Sequence, residues 1–381
     1  MSDLPVLVCK LNTGCYNSTD FFADQAAEAL EKLGQEVRIF EWNKDGADGL
    51  EKLFDVPFLA VLDFNSKLPR MRADDRPVLD YLNGPKYDWL LDHPLYHHNA
   101  LESITPKQDF HVLCLDRLHA EYVNRLYPAV RSAVMLPLGG VAGRRIPWKQ
   151  KKAAETLIFC GTYCEPELIM DCILQSPDEI RDTSLKMIEL MKQNPDITVE
   201  NAYHRASGKT PGPIGMQMNF LADTYIRAYF REKILDVLLD ADLPVHLYGP
   251  NWLDYAAKRK IEKKLLHGEI SYEKSLEIQS EHGIVLNIMP WFKAGAHDRI
   301  FTAMSAESIC LTDTSEYLAQ QFTEGREYAG YDLKRLSELA DQVRELLSQP
   351  ARMQEIAQTG YASVTACHMW KHRMEEFLQM L

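Results

Sequence analysis

No stretch of this chain approaches the ~20 consecutive apolar residues that a membrane-crossing helix needs. The start, Met-Ser-Asp-Leu-Pro, lacks a basic segment followed by an apolar one, so no secretory leader is expected and the reading is a cytoplasmic protein. Positive charge is also short: 42 Lys and Arg against 55 Asp and Glu leave a formal charge of −13. That disfavours a nucleic-acid partner, because phosphate backbones are gripped mainly by clustered Lys and Arg. A nucleotide can still sit in a local basic pocket. The Gly-x-Gly-x-x-Gly fingerprint of dinucleotide enzymes is missing, and the first strand–helix loop offers Gly14 alone, which counts against a nicotinamide enzyme. Paired cysteines are scarce too. Eight are scattered from Cys9 to Cys367, and only Cys160 and Cys164 stand close, without the second pair that a structural zinc requires. Buried free thiols are expected.

What is present reads as two α/β domains. With 381 residues, 46% hydrophobic and 25% charged, the chain can bury two cores of ordinary size. An apolar strand at residues 4–10, an amphipathic helix at 19–33 closed by Gly34 and a strand at 36–42 form a β-α-β unit, which needs a parallel sheet and a right-handed crossover. Further apolar strands at 58–62, 89–91, 111–115 and 133–136 alternate with helical stretches, as in a doubly wound sheet. Glycines and a Lys/Arg-rich stretch at 137–147 mark a hinge. The pattern restarts with a strand at 156–162 that ends on Gly161, followed by a mostly helical stretch at 165–240. The expected domains are therefore 1–145 and 150–370, with a terminal helix at 371–381 placed to cross back to the first. Gly208-Lys209-Thr210 looks like part of a phosphate-binding P-loop, but the required earlier glycine is Tyr203 and no buried strand precedes it, so a surface turn is the better reading.

Residues 284–313 carry the most chemistry. They read as a buried strand, a polar loop, a helix entered by His297, Asp298 and Arg299, and a second buried strand. A loop feeding a helix N-terminus offers unpaired N–H groups and partial positive charge, which suits phosphate or diphosphate. Lys293 and Arg299 add cations, and Gly295 allows close backbone approach. A plain charged helix cap is the competing reading.

The flanking residues add context. Upstream lie residues 244–252, a short strand ending in Tyr248, Gly249 and Pro250, and then His267 and Gly268 before a helix opening near Tyr272; downstream come Glu324 to Glu327, a regular helix at 333–347 and the His368–Arg373 run. In order and spacing this resembles the C-terminal half of group-1-type glycosyltransferases of the GT-B fold, closest to the branch that includes the CgeB spore-maturation proteins. The resemblance is good over residues 155–381 and weak before. It implies two Rossmann-like domains facing a cleft and sugar transfer from a nucleotide-diphosphate donor to an unknown acceptor. The donor is a substrate, and no separate cofactor is implied. Tyr248, Gly249, His267, Gly268 and Tyr272 would line the base and ribose pocket, while Gly295, Ala296, His297, Asp298 and Arg299 would hold the diphosphate and donor sugar. Many relatives carry two glutamates eight positions apart around this helix. Here those positions are Ala294 and Thr302, so the carboxylate contacts would fall to Asp298 or Glu307.

In the first half, Asp92, His93, His97 and His98 follow a strand, and that edge of an open sheet faces the ligand crevice. Relatives carry a similar Asp-His-Pro run. A histidine such as His97 is able to polarise the acceptor hydroxyl or contact the sugar, Asp92 to act as general base, or the group to hold a metal; equally, His93-Pro94 forms a turn and the histidines are solvated or bonded to backbone. Asp116, Arg117 and His119 join the same edge or are plain surface groups. The expected catalytic set is Asp92, His97 and Arg299, with Gly14 a first-loop contact. Lys293, Arg299 and the amides of residues 296–298 would stabilise the departing diphosphate, so no essential divalent ion is expected. Relatives mostly retain anomeric configuration. The rivals are a non-catalytic nucleotide-sugar-binding protein and a sugar epimerase of the same fold.

Overall fold

The computed structural model of the chain describes residues 4–11 and 18–381. They form two compact units: Met1–Gly139 with His368–Leu381, and Gly140–Cys367. Residues 140–145, assigned from the sequence to the first domain, go with the second, because the Val141 amide donates to Ser305 Oγ at 3.2 Å and Arg145 pairs with Glu307.

Unit 1 is built on β1 (Val6–Lys10), β2 (Val37–Glu41), β3 (Ala60–Phe64), β4 (Lys86–Leu90), β5 (Phe110–Cys114) and β6 (Ser132–Met135), in the spatial order β2-β1-β3-β4-β5-β6. Every neighbouring pair in it is parallel. The apolar runs explain this: β1, β3 and β4 are buried along nearly their whole length, as strands covered on both faces must be. Helix α1 (Ser18–Lys32) covers one face through Phe22, Ala26 and Leu30, and Gly34, at φ 82°, turns the chain back. The terminal helix, Trp370–Leu378, packs on this unit: the Trp370 ring lies 6.0 Å from Phe22 and 5.6 Å from Trp89, and Phe377 meets Tyr87 edge-on at 5.1 Å.

Unit 2 carries β7 (Ala153–Cys160), β8 (Val245–Tyr248), β9 (His282–Asn287), β10 (Ile309–Asp313) and β11 (Ala329–Tyr331), in the order β8-β7-β9-β10-β11 and again parallel. Five helices lie between β7 and β8, the last and longest being α2 (Phe220–Asp240). After β8 come α3 (Tyr272–Glu281) and α4 (Asp298–Ser305). The Gly208 turn is a surface helix cap at φ 70°, and Lys209 pairs with Glu179. The expected regular helix at 333–347 is instead a 3-10 turn, Leu333–Glu338, broken at Arg335, and then a helix from Leu339 to Leu347. Asp332 is the cause. Its carboxylate accepts from the Lys334 amide at 2.8 Å and from Arg335 Nε at 3.1 Å, which tightens the entry. The thiols are also less uniformly buried than expected, since Cys164, Cys172 and Cys367 are exposed. Among the described residues, no helix is long and apolar enough to cross a membrane.

Candidate functional site

In unit 2 the strand order reverses direction between β7 and β9, and the space beyond the carboxyl ends of such a pair is where open α/β sheets bind ligands. β7 ends at Cys160 and Gly161; β9 ends at Asn287. Arg299 spans this point. Its Nη1 donates to Asn287 Oδ1 at 2.9 Å, its guanidinium lies 5.3 Å from the centre of the Phe159 ring, and its Nη2 would be 4.0 Å from a Cβ at Gly161. The side chain is thus fixed by an amide and an aromatic face, with a residue lacking a side chain below it.

The helix start is arranged around it. His297 stands at the N-cap position of α4, with Nδ1 3.2 Å from the Arg299 amide and 2.6 Å from Asp298 Oδ1. One nitrogen cannot accept from the amide and donate to the carboxylate together. The shorter contact to a charged partner decides for donation to Asp298. The other Asp298 oxygen accepts from the Tyr272 hydroxyl at 2.5 Å. Burial pushes the Asp298 carboxyl up, but His297, Arg299 and Tyr272 outweigh it and hold the group ionised well below the usual range. The N–H groups of His297 and Asp298 have no acceptor among the described residues. Thus Tyr272, His297, Asp298 and Arg299 come together, and Gly295 and Ala296 sit buried in the loop that leads to them.

Lys293 is placed differently. Its ammonium is bonded to the carbonyls of Pro195 and Pro290, so it ties the loop to the helical segment. The second cation near Arg299 is one that the sequence reading missed: Arg231 of α2 lies over the same Phe159 ring at 5.7 Å and donates to the Thr162 carbonyl, while Arg227, one turn earlier, lies 4.4 Å over Trp291. Two arginines four apart on a mostly apolar helix were the available signal. The substitutes proposed for the missing glutamates fare poorly. Glu307 is fully buried and accepts from Arg145 Nε at 2.5 Å and the Trp148 amide at 2.9 Å, so it clamps the segment after Gly140, and both Asp298 oxygens are engaged. Ala294 is buried, and the Thr302 hydroxyl donates to Gln279 at 2.9 Å.

Tyr248, Gly249, His267 and Gly268 gather at the end of β8. The Gly249 amide donates to the Gly268 carbonyl at 2.6 Å, and a Cβ at Gly249, where φ is 132°, would meet the Gly161 carbonyl oxygen at 2.2 Å. The His267 ring stacks on Tyr248 at 4.2 Å.

In unit 1, Gly14 lies outside the described residues. Beyond β4, the histidines divide. His93 Nδ1 accepts from the Leu95 amide at 3.0 Å, and its ring packs edge-on against His119 and Tyr122. His98 Nδ1 lies 3.2 Å from the Tyr127 hydroxyl. These two are structural. His97 is buried with an Nδ1 that has no hydrogen-bond partner among the described residues. Burial pushes its pKa down to about 4, against the pull of Asp92 and with Arg70 and His93 adding to the fall, so the ring is neutral at pH 7. Asp116 caps the next helix through the Leu118 amide, and Arg117 makes a surface pair with Glu121. No metal-holding group of three His, Cys, Asp or Glu occurs among the described residues.

The sequence profile of a family described as Glycosyl transferase-like matches residues 227–379. No curated protein matches the chain in sequence. Among solved structures, the chain resembles an alpha-glucosyltransferase in complex with UDP and a 13-mer DNA containing a HMU base, with a TM-score of 0.63 at 9% identity over 100% of this chain and 99% of that one. It resembles sucrose-phosphate synthase from Thermosynechococcus elongatus at 0.56 and 10% identity over 99% and 98% of the two chains. Anabaena HepE, in complex with UDP and glucose, matches at 0.56 and 11% identity over 99% of each. At such identities the likeness establishes the fold. The chain therefore has the GT-B glycosyltransferase fold, with two parallel-sheet units and a glycosyl transferase-like segment at residues 227–379 that contains Arg231, Tyr248, His267 and Arg299.

Proposed function

We propose that the chain is a glycosyltransferase that moves a sugar, of the hexose type, from a nucleoside-diphosphate donor to an acceptor hydroxyl, with retention of configuration and without an essential divalent ion. The observation that carries this is the fixed Arg299 guanidinium at the strand-order reversal, beside the His297 and Asp298 amides. As the bond from the anomeric carbon to the diphosphate breaks, negative charge grows on the leaving oxygens. Preorganised cations and amides stabilise that charge without reorganising. Arg231 supplies the second cation, and Lys293 acts by holding the loop. Asp92 and the neutral His97 are the proposed acceptor-side groups of unit 1, His97 through its unpaired Nδ1. Two of the similar structures hold UDP, which supports a nucleotide sugar as donor. The Asp-His-Pro run supports assignment to the CgeB-containing branch, and the −13 charge argues for an acceptor other than nucleic acid.

A second reading, a nucleotide-sugar-binding protein without turnover, is favoured by the sealed Ala294 and Thr302 positions, which leave no carboxylate where many relatives have one. Incubation with a panel of nucleotide sugars separates the two. Release of nucleoside diphosphate, unaffected by a chelator and lost in Arg299→Ala, is the expected result; binding of donor with no release under any acceptor would establish the second reading, and isomerised donor would sink both.

A further inference from the structure

The loop that leaves β3 in unit 1 is fixed more tightly than a plain connection requires. The strand order of that sheet reverses between β1 and β3, so the carboxyl end of β3 stands where open α/β sheets take ligands. The first two loop residues, Asn65 and Ser66, have φ of 56° and 55°, a left-handed backbone that residues with a Cβ adopt only at a cost. Two buried carboxyl groups hold them there. Asp88 accepts from the Ser66 amide at 2.8 Å and the Ser66 hydroxyl at 2.5 Å, and Asp63 accepts from the amides of Lys67 and Leu68 at 2.9 and 2.7 Å. Asn65 Oδ1 accepts from the Leu91 amide at 2.9 Å, which ties this loop to the one that begins at Asp92. Strain kept in place by so many partners marks a segment that must present something in one geometry.

What it presents is positive charge. In a chain of formal charge −13, residues 67–76 hold Lys67, Arg70, Arg72 and Arg76 against Asp74 and Asp75. Arg72 donates to the Asp75 carbonyl at 2.7 Å, and Arg76 lies 4.8 Å over the Tyr81 ring. The side chains of Lys67 and Arg70 have no hydrogen bond or ion pair among the described residues. Leu68 and Pro69 are buried, so the 3-10 turn Leu68–Arg70 is anchored while Arg70 itself is exposed. That turn packs on the helix His98–Glu102, which follows His97 directly. Burial raises the Asp88 carboxyl and lowers the His97 ring, and the Arg70 charge acts on both, opposing the first shift and adding to the second. Resting on the glycosyltransferase reading above, we propose that the acceptor carries an anionic group, a phosphate or a carboxylate, besides its hydroxyl, and that Arg70 with Lys67 binds that group. The guanidinium meets either anion with a two-pronged fork, and the ammonium meets it as a point charge. Asp92, the proposed base for the hydroxyl, would repel such an acceptor. The neighbouring cations make the two compatible.

The test presents the full chain with glucose, fructose and inositol, each beside its monophosphate, and with glucuronate for the carboxylate. Calorimetry measures binding, release of nucleoside diphosphate from the nucleotide-sugar panel measures use as acceptor, and thermal melts verify folding. At least one anionic probe should bind, and speed release, beyond its neutral parent, and the phosphate and glucuronate arms tell which anion is preferred. Arg70→Ala should weaken that binding about tenfold or more, and Arg70→Lys, which keeps the charge without the fork, should restore part of it. Binding of the probe should persist in Arg299→Ala, which removes only the donor grip. Neutral parents that serve as well as the anions, no anionic probe bound, or anion binding that ignores Arg70→Ala and disappears in Arg299→Ala would overturn the anionic acceptor and leave the donor assignment standing. A wild type that binds no nucleoside diphosphate would overturn the donor assignment itself.

Discussion

Glu307→Ala should destabilise unit 2 by about 2–3 kcal/mol, most of it from a single orphaned amide. Glu307 is fully buried, at φ 57°, with Oε2 on Arg145 Nε and Oε1 on the Trp148 amide. The Arg145 side chain is 44% exposed, so solvent screens the ion pair and its loss contributes only about 0–1 kcal/mol. The Trp148 N–H has no such relief, and an unsatisfied buried donor costs about 1–3 kcal/mol. Glu307→Gln keeps an acceptor for that amide and should cost under about 1 kcal/mol. The left-handed backbone gives a second handle. Ala at this φ keeps the strain of a Cβ, about 1 kcal/mol, whereas Gly does not, so the order of stability should be Glu, then Gly, then Ala. Urea unfolding followed by tryptophan fluorescence measures all four proteins. An Ala variant within about 0.5 kcal/mol of wild type, or a Gly variant below Ala, would refute the clamp.

Two further predictions concern backbone and charge. Gly249→Ala should abolish nucleotide binding and cost at least about 2 kcal/mol, since the new Cβ would meet the Gly161 carbonyl oxygen at 2.2 Å from a φ of 132°; melting curves with and without UDP check it, and a stable, binding-competent variant would contradict the packing. In unit 1, Asp63 and Asp88 are register partners on β3 and β4, both buried, and burial pushes Asp88 up to about 6. Because the folded state holds this proton more tightly than the unfolded chain, the stability is present below about pH 4 and lost as pH rises to about 6, on the order of 3 kcal/mol. Burial, and then the Asp88 charge, push Asp63 up as well, so Asp88→Asn should lessen the slope of that stretch without removing it, and an unchanged slope would assign it to Asp63 and other groups.

The fold was legible because its strands are short apolar runs punctuated by glycines, and each predicted strand of the two large sheets fell within a few residues of an observed one. Three features were not legible. The entry to the helix at Leu339 is set by Asp332 accepting from both Lys334 and Arg335, which helical periodicity does not register. Arg231 stands unmarked in a long, mostly apolar stretch, and the tertiary return of α2 brings it over Phe159 and onto the Thr162 carbonyl. Lys293 looked like a phosphate ligand from composition, yet backbone carbonyls of Pro195, ninety-eight positions away, and of Pro290 take its ammonium. Residue type alone says which groups attract phosphate, and tertiary contacts say which of them are already satisfied.

The proposed role of the Arg299 turn is to grip the diphosphate of an activated sugar. Thermal melting of wild type and Arg299→Ala with saturating nucleoside diphosphates tests it most directly, because a ligand that binds only the folded state raises the melting temperature by mass action. Wild type should melt higher with at least one diphosphate, less so with its monophosphate, and the variant should not shift; equal shifts in both proteins would rule out the grip.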